Sequence, residues 1–508
     1  MNEDSQLLHQ GERDPETGVD KACDKKRARA GLVRVGLWVL LAAAAFHGAY
    51  ASSKTSWLVL FYLFSLLQLA QADTWRQAFY SGLTVGLLIA LGRLGFFWNI
   101  FSGGAGALWL IYAFWVGLFV ALARLCRRRF PRPWAWLLIP FLWIGLEYFR
   151  SELYYLRFSW LNPGYTFAGA PWQTPLPQVG VYGMGFVLIS VAGVSALVWR
   201  NTRLASLAVL GLGVAALGFW GFACAAGKPS TPASTVRIAG VQMEFPSDED
   251  VLSRLDELLR KLPQTELIVL SEYTFDGPIP QAIKSWCSKN KRYLVIGGKD
   301  PAPNGSFYDT AFVIGPSGEI VFRQGKAVPI QFFKDGLPAP EQKLWDSPWG
   351  KIGLCVCYDL SYTRVTDRLV KLGAQALIVP TMDVIDWGQA QHELHARVAP
   401  IRAAEYGLPI FRVASSGISQ FVDQSGRVIG SAPCPGEGEI ISGTLELRGP
   451  GRLPLDRWLG PFAAGLTGVS VLWCSVRKGR KIGAETSFCP HVSASASSAC
   501  LYCISVAS

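Results

Sequence analysis

Apolar residues in this chain are bunched into long blocks up to about residue 227. They thin into short runs from Val236 to Gly449 and gather once more after residue 455. About 20 consecutive apolar residues cross a bilayer as a helix. By that measure the blocks predict spans at 33–50, 56–72, 77–97, 105–125, 133–149, 178–199, 204–226 and 456–475. The second block is short, and the third carries Arg93 near one end. The first is not expected to be a cleaved signal, because a long polar segment precedes it and further spans follow. The pattern therefore predicts seven spans, an insert and an eighth span.

Within the insert the rhythm changes. "TVRIAGVQM", "TELIVLSE", "RYLVIGG", "TAFVIG", "KIGLCVC" and "QALIVPT" are short apolar runs of the kind that form buried strands. "DEDVLSRLDELLRKL" and "QAQHELHARVAPIRAAEYG" have helical spacing. Strands alternating with helices predict a layered α/β domain, in which reactive groups sit where strands end and loops begin.

Composition supports the partition. Half of the 508 residues are hydrophobic and only 17% are charged, unusual for a soluble enzyme. The net charge of +11 raises the question of nucleic acid, but the basic residues cluster beside the apolar blocks, so no nucleic-acid partner is expected. Lys25, Lys26, Arg27 and Arg29, the loop "RLCRRRFPR", Arg200 with Arg203, and "RKGRK" all fall on one side if seven spans precede the insert. The positive-inside rule makes that side the cytoplasm and turns the insert outward. The expected organisation is a cytoplasmic tail at 1–32, a membrane domain at 33–227, an outward-facing catalytic domain at 236–449, the last span at 456–475, and a Ser/Ala-rich cytoplasmic tail at 476–508, expected to be disordered. The 11 cysteines show no disulfide framework.

Three positions in the insert carry chemistry. Glu272 ends the run "LIVLSE", and partial burial there would suit it to general-base work. Cys357 ends "KIGLCVC" and is followed by Tyr358 and Asp359. Lys326 lies between them, a cation able to favour a thiolate and to hold an oxyanion. Each also has a plain reading: a buried small hydrophobe, a solvated loop acid, a surface lysine. Cys355, two residues before Cys357, is expected to pack within the strand. His392 and His395 share a predicted helix without a third metal ligand and are expected on its surface; no metal or other cofactor is expected. Trp387 could line an acyl-chain groove or simply be buried.

"LSEYTFDG", "GKAVP", "GLCVCYD" and "IRAAEYGLPIFRVASSGIS" resemble the Glu–Lys–Cys signatures of the nitrilase (carbon–nitrogen hydrolase) superfamily, and "SFYDTAFVIGPSGEI" resembles its segment before the lysine. With spans on both sides, the chain from about residue 33 to 475 resembles the apolipoprotein N-acyltransferase family. "EYFRSELYYLRFSWLNPGYTFAGAPWQ" and "QVGVYGMGF" resemble that family's outer segment around Arg150, Trp160, Gly164, Gln178, Tyr182 and Gly183. The resemblance implies a polytopic α-helical membrane domain of about eight spans with an inserted αββα nitrilase-like sandwich. It implies a Glu272–Lys326–Cys357 triad, with Cys357 rather than Cys355 as nucleophile. It also implies a phospholipid acyl donor, a diacylated lipoprotein acceptor and a setting among the lipids of the bacterial inner membrane, with the catalytic domain facing the periplasm. Tyr358, Asp359, Arg150, Trp160, Gln178 and Trp387 are expected to bind substrate or support the site.

The chain departs from the family pattern in places. The family lysine stands five residues before the proline of "HLVPFGE", where Gln324 falls relative to Pro329. Lys326, three residues before that proline, is the preferred counterpart and Lys334 a substitute. Phe332 takes the place of the "FGE" glutamate by spacing, with Asp335 nearby. The stretch from Lys326 to Cys357 is short, which implies a trimmed arm over the site. The family's "TND" reads "TMD" here, leaving Asp383. Two other classes stay open: a membrane-tethered amidase or an acyltransferase with another acceptor, and an inactive membrane scaffold.

Overall fold

The computed structural model describes residues 16–169, 175–199, 232–303 and 305–476. The predicted span at 204–226, residues 1–15 and residues 477–508 lie outside these residues, while 16–32 of the predicted N-terminal tail are helical and run straight into the first apolar block. Ahead of the insert the chain forms α1 (Glu16–Ala51), α2 (Val59–Leu69), α3 (Trp75–Arg93), α4 (Phe97–Phe101), α5 (Ala105–Arg129), α6 (Arg132–Tyr148) and α7 (Leu176–Val198). Among the described residues, three helical stretches are long and apolar enough to cross a membrane: Arg29–Ala51, Phe97–Arg129 and Leu176–Val198. The short second block is a 3-10 turn (Ser53–Leu58) followed by the 11 residues of α2.

Small residues set the packing here, as expected where hydrophobic burial gives helices no reason to associate. A Cβ on Gly86 of α3 would stand 2.5 Å from Ala113 of α5, and one on Gly117 would stand 2.9 Å from the Phe79 carbonyl. Trp57, Phe61, Trp75, Trp134 and Leu137 are exposed on the outside of the helices. So extensive an apolar exterior belongs in lipid or against a partner, not in water.

The insert is a sandwich of two six-stranded sheets. One runs in the order β12 (Ile440–Leu447), β1 (Ser234–Val241), β2 (Leu267–Val269), β3 (Tyr293–Pro301), β4 (Phe307–Ile314), β5 (Ile320–Gly325). The other runs β11 (Val428–Ala432), β10 (Ser419–Val422), β9 (Ile410–Ala414), β8 (Ala376–Thr381), β7 (Gly350–Leu354), β6 (Leu344–Ser347). In each sheet the central three strands are parallel, with β1–β2–β3 matched by β7–β8–β9. The sheets meet closely: a Cβ on Gly240 of β1 would stand 2.5 Å from the Val413 side chain of β9. Helices α8 (Asp248–Lys261) and α9 (Gln281–Asn290) cover the first sheet and pack with it into one apolar cluster. Helices α10 (Thr363–Lys371), α11 (Gln389–Ala396) and α12 (Val398–Tyr406) belong to the second half. The predicted single helix over 389–407 is broken at Arg397, with Pro400 in the first turn of α12, where a missing N–H costs nothing. Strand β7 ends at Leu354, so Cys355 lies just beyond it and not within it as predicted, and Cys357 opens the turn that follows.

A buried ionic junction ties the insert to the helices. Helix α7 breaks at Gly180 (φ 72°, ψ 178°), and the freed N–H groups of Val181 and Tyr182 donate to Glu405 Oε1 (2.7 Å) and Asp456 Oδ2 (2.9 Å). Two carboxylates thus cap a helix N-terminus, where negative charge is favoured. Glu405 comes from α12 and Asp456 from the start of α13 (Asp456–Val476). Arg402 Nη1 pairs with Glu405 Oε2 at 2.5 Å, while Arg457 pairs with Asp456 (2.5 Å) and Asp367 (2.8 Å). At Gly180 the backbone occupies a region open essentially to glycine alone, and a Cβ would run into the Asp456 carboxylate. Gly180→Ala is expected to destabilise the protein by about 1–3 kcal/mol. Thermal unfolding in detergent would read this as a lowered midpoint, and an unchanged midpoint would show that the junction tolerates the strain.

Candidate active site

Four chain segments that follow strand ends converge. Glu272 follows β2, and the next residue, Tyr273, has φ 50°. Behind it Gly297 of β3 leaves room for the chain: a Cβ there would stand 2.6 Å from Glu272 Cα. Lys326 follows β5, Cys357 opens the 3-10 turn after β7 with φ 50°, and Met382 follows β8. Positive φ at a residue with a side chain costs about 1–3 kcal/mol and collects at functional sites.

Lys326 is fully buried, and its ammonium touches three carboxylates: Glu272 Oε1 at 2.7 Å, Asp335 Oδ2 at 2.7 Å and Asp309 Oδ2 at 3.3 Å. These acids stand close enough to share a metal ion, but the cation they share is Lys326. Glu272 Oε2 accepts the Met382 N–H at 2.6 Å, and Cys357 Sγ donates to the Met382 carbonyl at 3.6 Å. Glu272 and Cys357 therefore meet over the backbone of one residue, Met382.

Burial would raise the Glu272 pKa, but the Lys326 charge and a hydrogen bond from Asp309 hold it below the ordinary glutamate value. Asp309 takes the opposite course: burial and the Glu272 charge push it well above the carboxylate range, so it stands as a neutral donor. Lys326 is burdened by burial, yet its acidic neighbours lift it well above a free lysine. Burial and Glu272 together raise the Cys357 thiol well above its usual value. The resting set is a thiol, a carboxylate and an ammonium.

Asp359 binds the cysteine turn to the lysine loop. Its carboxylate accepts N–H groups from Ala327 (3.0 Å) and Val328 (2.8 Å), and burial pushes its pKa up to about 6. Tyr358 donates from its hydroxyl to the Arg157 carbonyl at 3.0 Å. Trp160 donates Nε1–H to Ser361 Oγ at 2.9 Å and stacks on His395, with ring centroids 4.7 Å apart. Arg150 is buried against Asn162 Oδ1 (2.5 Å) and the Tyr112 ring (5.2 Å). Gln178 stands apart, at the α7–α13 junction, where its carbonyl accepts the Leu455 N–H.

Several expectations need correction. Lys334 is exposed, so only Lys326 enters the cluster. Phe332, the counterpart by spacing of the family glutamate, is 67% exposed with φ 72°, and Asp335 supplies the carboxylate instead. Asp335 is fixed by the Tyr273 hydroxyl (2.9 Å) and the Ile330 N–H (2.6 Å). His392 and His395 are buried, not on a helix surface. His395 Nδ1 meets Asp383 Oδ1 at 2.8 Å, and Arg412 pairs with Asp383 Oδ2 at 2.5 Å. Asp309 was missed; its signal was an acid inside "YDTAFVIG", where alternation turns it inward.

A largely apolar cleft opens on Cys357. Leu94, Phe97, Ile111 and Trp115 line it, together with Tyr358, Trp160, Trp387 and Arg150. The loop Ile330–Phe333 closes one side: Phe333 meets Phe101 of α4 at 5.8 Å and Trp387 at 6.0 Å.

Comparison with known proteins divides the chain in the same way. Residues 36–194 match the family model for the apolipoprotein N-acyltransferase N-terminal domain, and residues 246–449 match that for carbon-nitrogen hydrolase. The chain is 25% identical over 462 residues to the apolipoprotein N-acyltransferase of Geobacter metallireducens, covering 78% of this chain and 86% of that protein. It is 25% identical over 495 residues to that of Ralstonia nicotianae, covering 86% and 92% respectively. The solved carbon-nitrogen hydrolase from Helicobacter pylori G27 is 19% identical with a TM-score of 0.37, covering 49% of this chain and 96% of that one.

A thiol raised by burial and by Glu272 holds less thiolate at pH 7 than a free cysteine. Alkylation of Cys357 by iodoacetamide, followed by mass spectrometry, should rise about tenfold per pH unit through pH 9, past the free-thiol value of about 8.5. Glu272→Gln removes the negative neighbour and should move the rise to lower pH. A wild-type plateau below pH 8 would mean that the thiolate is already formed at rest.

Proposed function

The chain belongs to the apolipoprotein N-acyltransferases of the carbon–nitrogen hydrolase superfamily, and from that membership we propose a two-step acyl transfer through Cys357. The protein N-acylates lipoproteins; the steps and the residues that perform them are inferred here. One observation carries the proposal: the buried Glu272–Lys326 pair and Cys357 lie at the end of an apolar cleft walled by membrane helices.

Glu272 takes the Sγ proton as the sulfur attacks the ester carbonyl of a phospholipid. Lys326 and backbone N–H groups of the cysteine turn stabilise the oxyanion. Collapse breaks the carbon–oxygen bond, the proton on Glu272 passes to the departing lysophospholipid oxygen, and a thioester remains. The α-amine of a diacylated lipoprotein's N-terminal cysteine then attacks the thioester. Glu272 accepts the amine proton and returns it to sulfur, leaving an amide and the free thiol. General-base help of this kind is worth about 10²–10⁴-fold. Asp335 and Asp309 hold the ammonium in place, and Asp359 fixes its loop to the nucleophile's turn. Trp160, Tyr358, Trp387 and Arg150 shape the cleft, and Gln178 supports the junction beneath it.

The same reading takes residues 33–227 and 456–475 as about eight spans of a multi-pass inner-membrane protein. The domain at 236–449 faces the periplasm, and the tails at 1–32 and 476–508 lie in the cytoplasm. The lysine and arginine distribution supports that orientation. Both substrates are lipids, and exposing their chains to water would cost about 0.8 kcal/mol per CH₂; a thiol at the bilayer surface avoids it.

Mass spectrometry of the full-length protein incubated with phospholipid tests the mechanism. One acyl chain is expected on the Cys357 peptide, absent in Cys357→Ala. The rate of its formation should fall about 10²–10³-fold in Lys326→Ala, as for loss of an oxyanion donor. A folded, lipid-bound wild-type protein without the adduct would overturn the covalent route.

A further inference from the structure

On the far side of the Ile330–Phe333 loop from Cys357 lies a second, open groove with a different character. Its walls include Arg157, Arg364 and Arg368, together with the loop segment from Ala327 to Gln342. Arg364 and Arg368 are exposed and stand one turn apart on α10. Arg157 is half-buried, and the Arg364 pKa is lowered first by burial and then by repulsion from the Arg157 charge. Among the described residues none of the three forms an ion pair with a carboxylate. Glu341, the acid lining the groove, pairs with Lys343 at 2.5 Å. The acids whose fields reach Arg364 are buried and accept hydrogen bonds from other groups. Glu152 accepts from the Tyr182 hydroxyl and the Thr363 N–H, and Asp359 accepts from Ala327 and Val328.

Three arginines that line one groove without a carboxylate partner among the described residues, Arg157 fixed by Nε on the Tyr154 carbonyl, fit an anionic oxygen group from a ligand, since their planar forks match phosphate oxygens. The groove also connects to the site. Arg157, Ile330, Gln331, Phe332 and Phe333 line both it and the apolar cleft. The Arg157 carbonyl accepts the hydroxyl of Tyr358, the residue next to Cys357. Gln331 Nε2 donates to the Tyr155 carbonyl at 3.3 Å, which fastens the loop between the two clefts.

We propose that Arg157, Arg364 and Arg368 bind the phosphodiester of the acyl donor, so that a phospholipid straddles the Ile330–Phe333 loop with its scissile ester at Cys357 and its headgroup phosphate in the arginine groove. The inference rests on the acyl-transfer reading and names the chemistry by which that site selects its donor. Arginine contact to a phosphodiester is charge-assisted and independent of the alcohol beyond it, so donors with different headgroup alcohols but the same phosphate bind alike.

The test uses the full-length protein in detergent, titrated calorimetrically with dihexanoyl phosphatidylglycerol, dihexanoylglycerol and inorganic phosphate. The wild type is compared with Arg364→Gln/Arg368→Gln and with Arg157→Gln. The Kd for the phospholipid should rise about tenfold in each variant, and that for dihexanoylglycerol should stay put. An unchanged phospholipid Kd, or equal loss for both lipids, overturns the proposal. Inorganic phosphate binding as tightly as the phospholipid would also overturn it, by reassigning the groove to a free anion. Acyl-enzyme formation is followed in parallel. Variant-sensitive phospholipid binding without any acyl-enzyme in the wild type would sink the acyl-transfer mechanism while leaving the phosphate site standing.

Discussion

A lysine ammonium with no access to water is the constraint around which the catalytic half is arranged. Burying such a charge costs several kcal/mol even after relaxation, and close partners recover it only with good geometry. Lys326 has that geometry, with two carboxylate oxygens at 2.7 Å and a third at 3.3 Å. Three full negative charges around one positive charge would repel one another, and Asp309 resolves this by standing neutral. Each partner arrives by a different route: Glu272 after β2, Asp309 within β4, Asp335 in the loop after the lysine. The first sheet cannot shift a strand, nor the loop unwind, without leaving the ammonium exposed to an unpaired interior. Asp359 extends the constraint to the second sheet, because the amides it holds belong to the lysine loop while it belongs to the cysteine turn. One buried charge therefore sets the distance between the two halves of the chemistry.

The second constraint is the seam between the insert and the helices, and it is also ionic. Arg402 spans it, donating to the Leu360 and Ser361 carbonyls on the cysteine side and reaching the Tyr165 hydroxyl on the other. Its partner Glu405 caps the broken α7. The turn that carries Cys357 is thus held to the membrane part within a few residues of the nucleophile. This explains how the apolar cleft can run from α3 and α5 to the thiol without a flexible joint between them.

Much of this was legible because strand ends followed by Glu, Lys and Cys are local features. The apolar runs gave six strand positions, and the three reactive residues stood where those runs or their loops ended. What could not be read depends on three-dimensional closure. Spacing pointed to Phe332 for the acid beside the lysine, but a positive φ at that residue turns it outward and brings Asp335 in. The His392–His395 pair has the spacing of an exposed helical face, yet α11 is enclosed by the Asp383–Arg412 pair and Trp160. Span boundaries blurred for a related reason: α2 is shortened by a 3-10 turn, and α7 is broken by a glycine whose purpose lies in residues far along the chain.

The neutrality of the resting thiol ties these constraints to the lipid setting. A thiolate facing an apolar cleft would need water or a permanent counter-ion, and either would spoil the cleft for an acyl chain. With Cys357 protonated, the sulfur adds no charge to the cleft until a carbonyl is in place, and on the proposed mechanism that charge develops within reach of Lys326, which is already compensated from behind. On the proposed mechanism the proton moves only as far as Glu272, whose other oxygen is held by the Met382 amide. The chemistry thus creates its ions on the polar side of the site while the chain stays on the apolar side. The arrangement also bears on the choice between amine and water as acceptor. The apolar stretch formed by Phe97, Ile111 and Trp115 favours an amine that arrives on the acyl chains of a diacylated lipoprotein over water. On this mechanism the apolar wall contributes to acceptor selection as well as to binding.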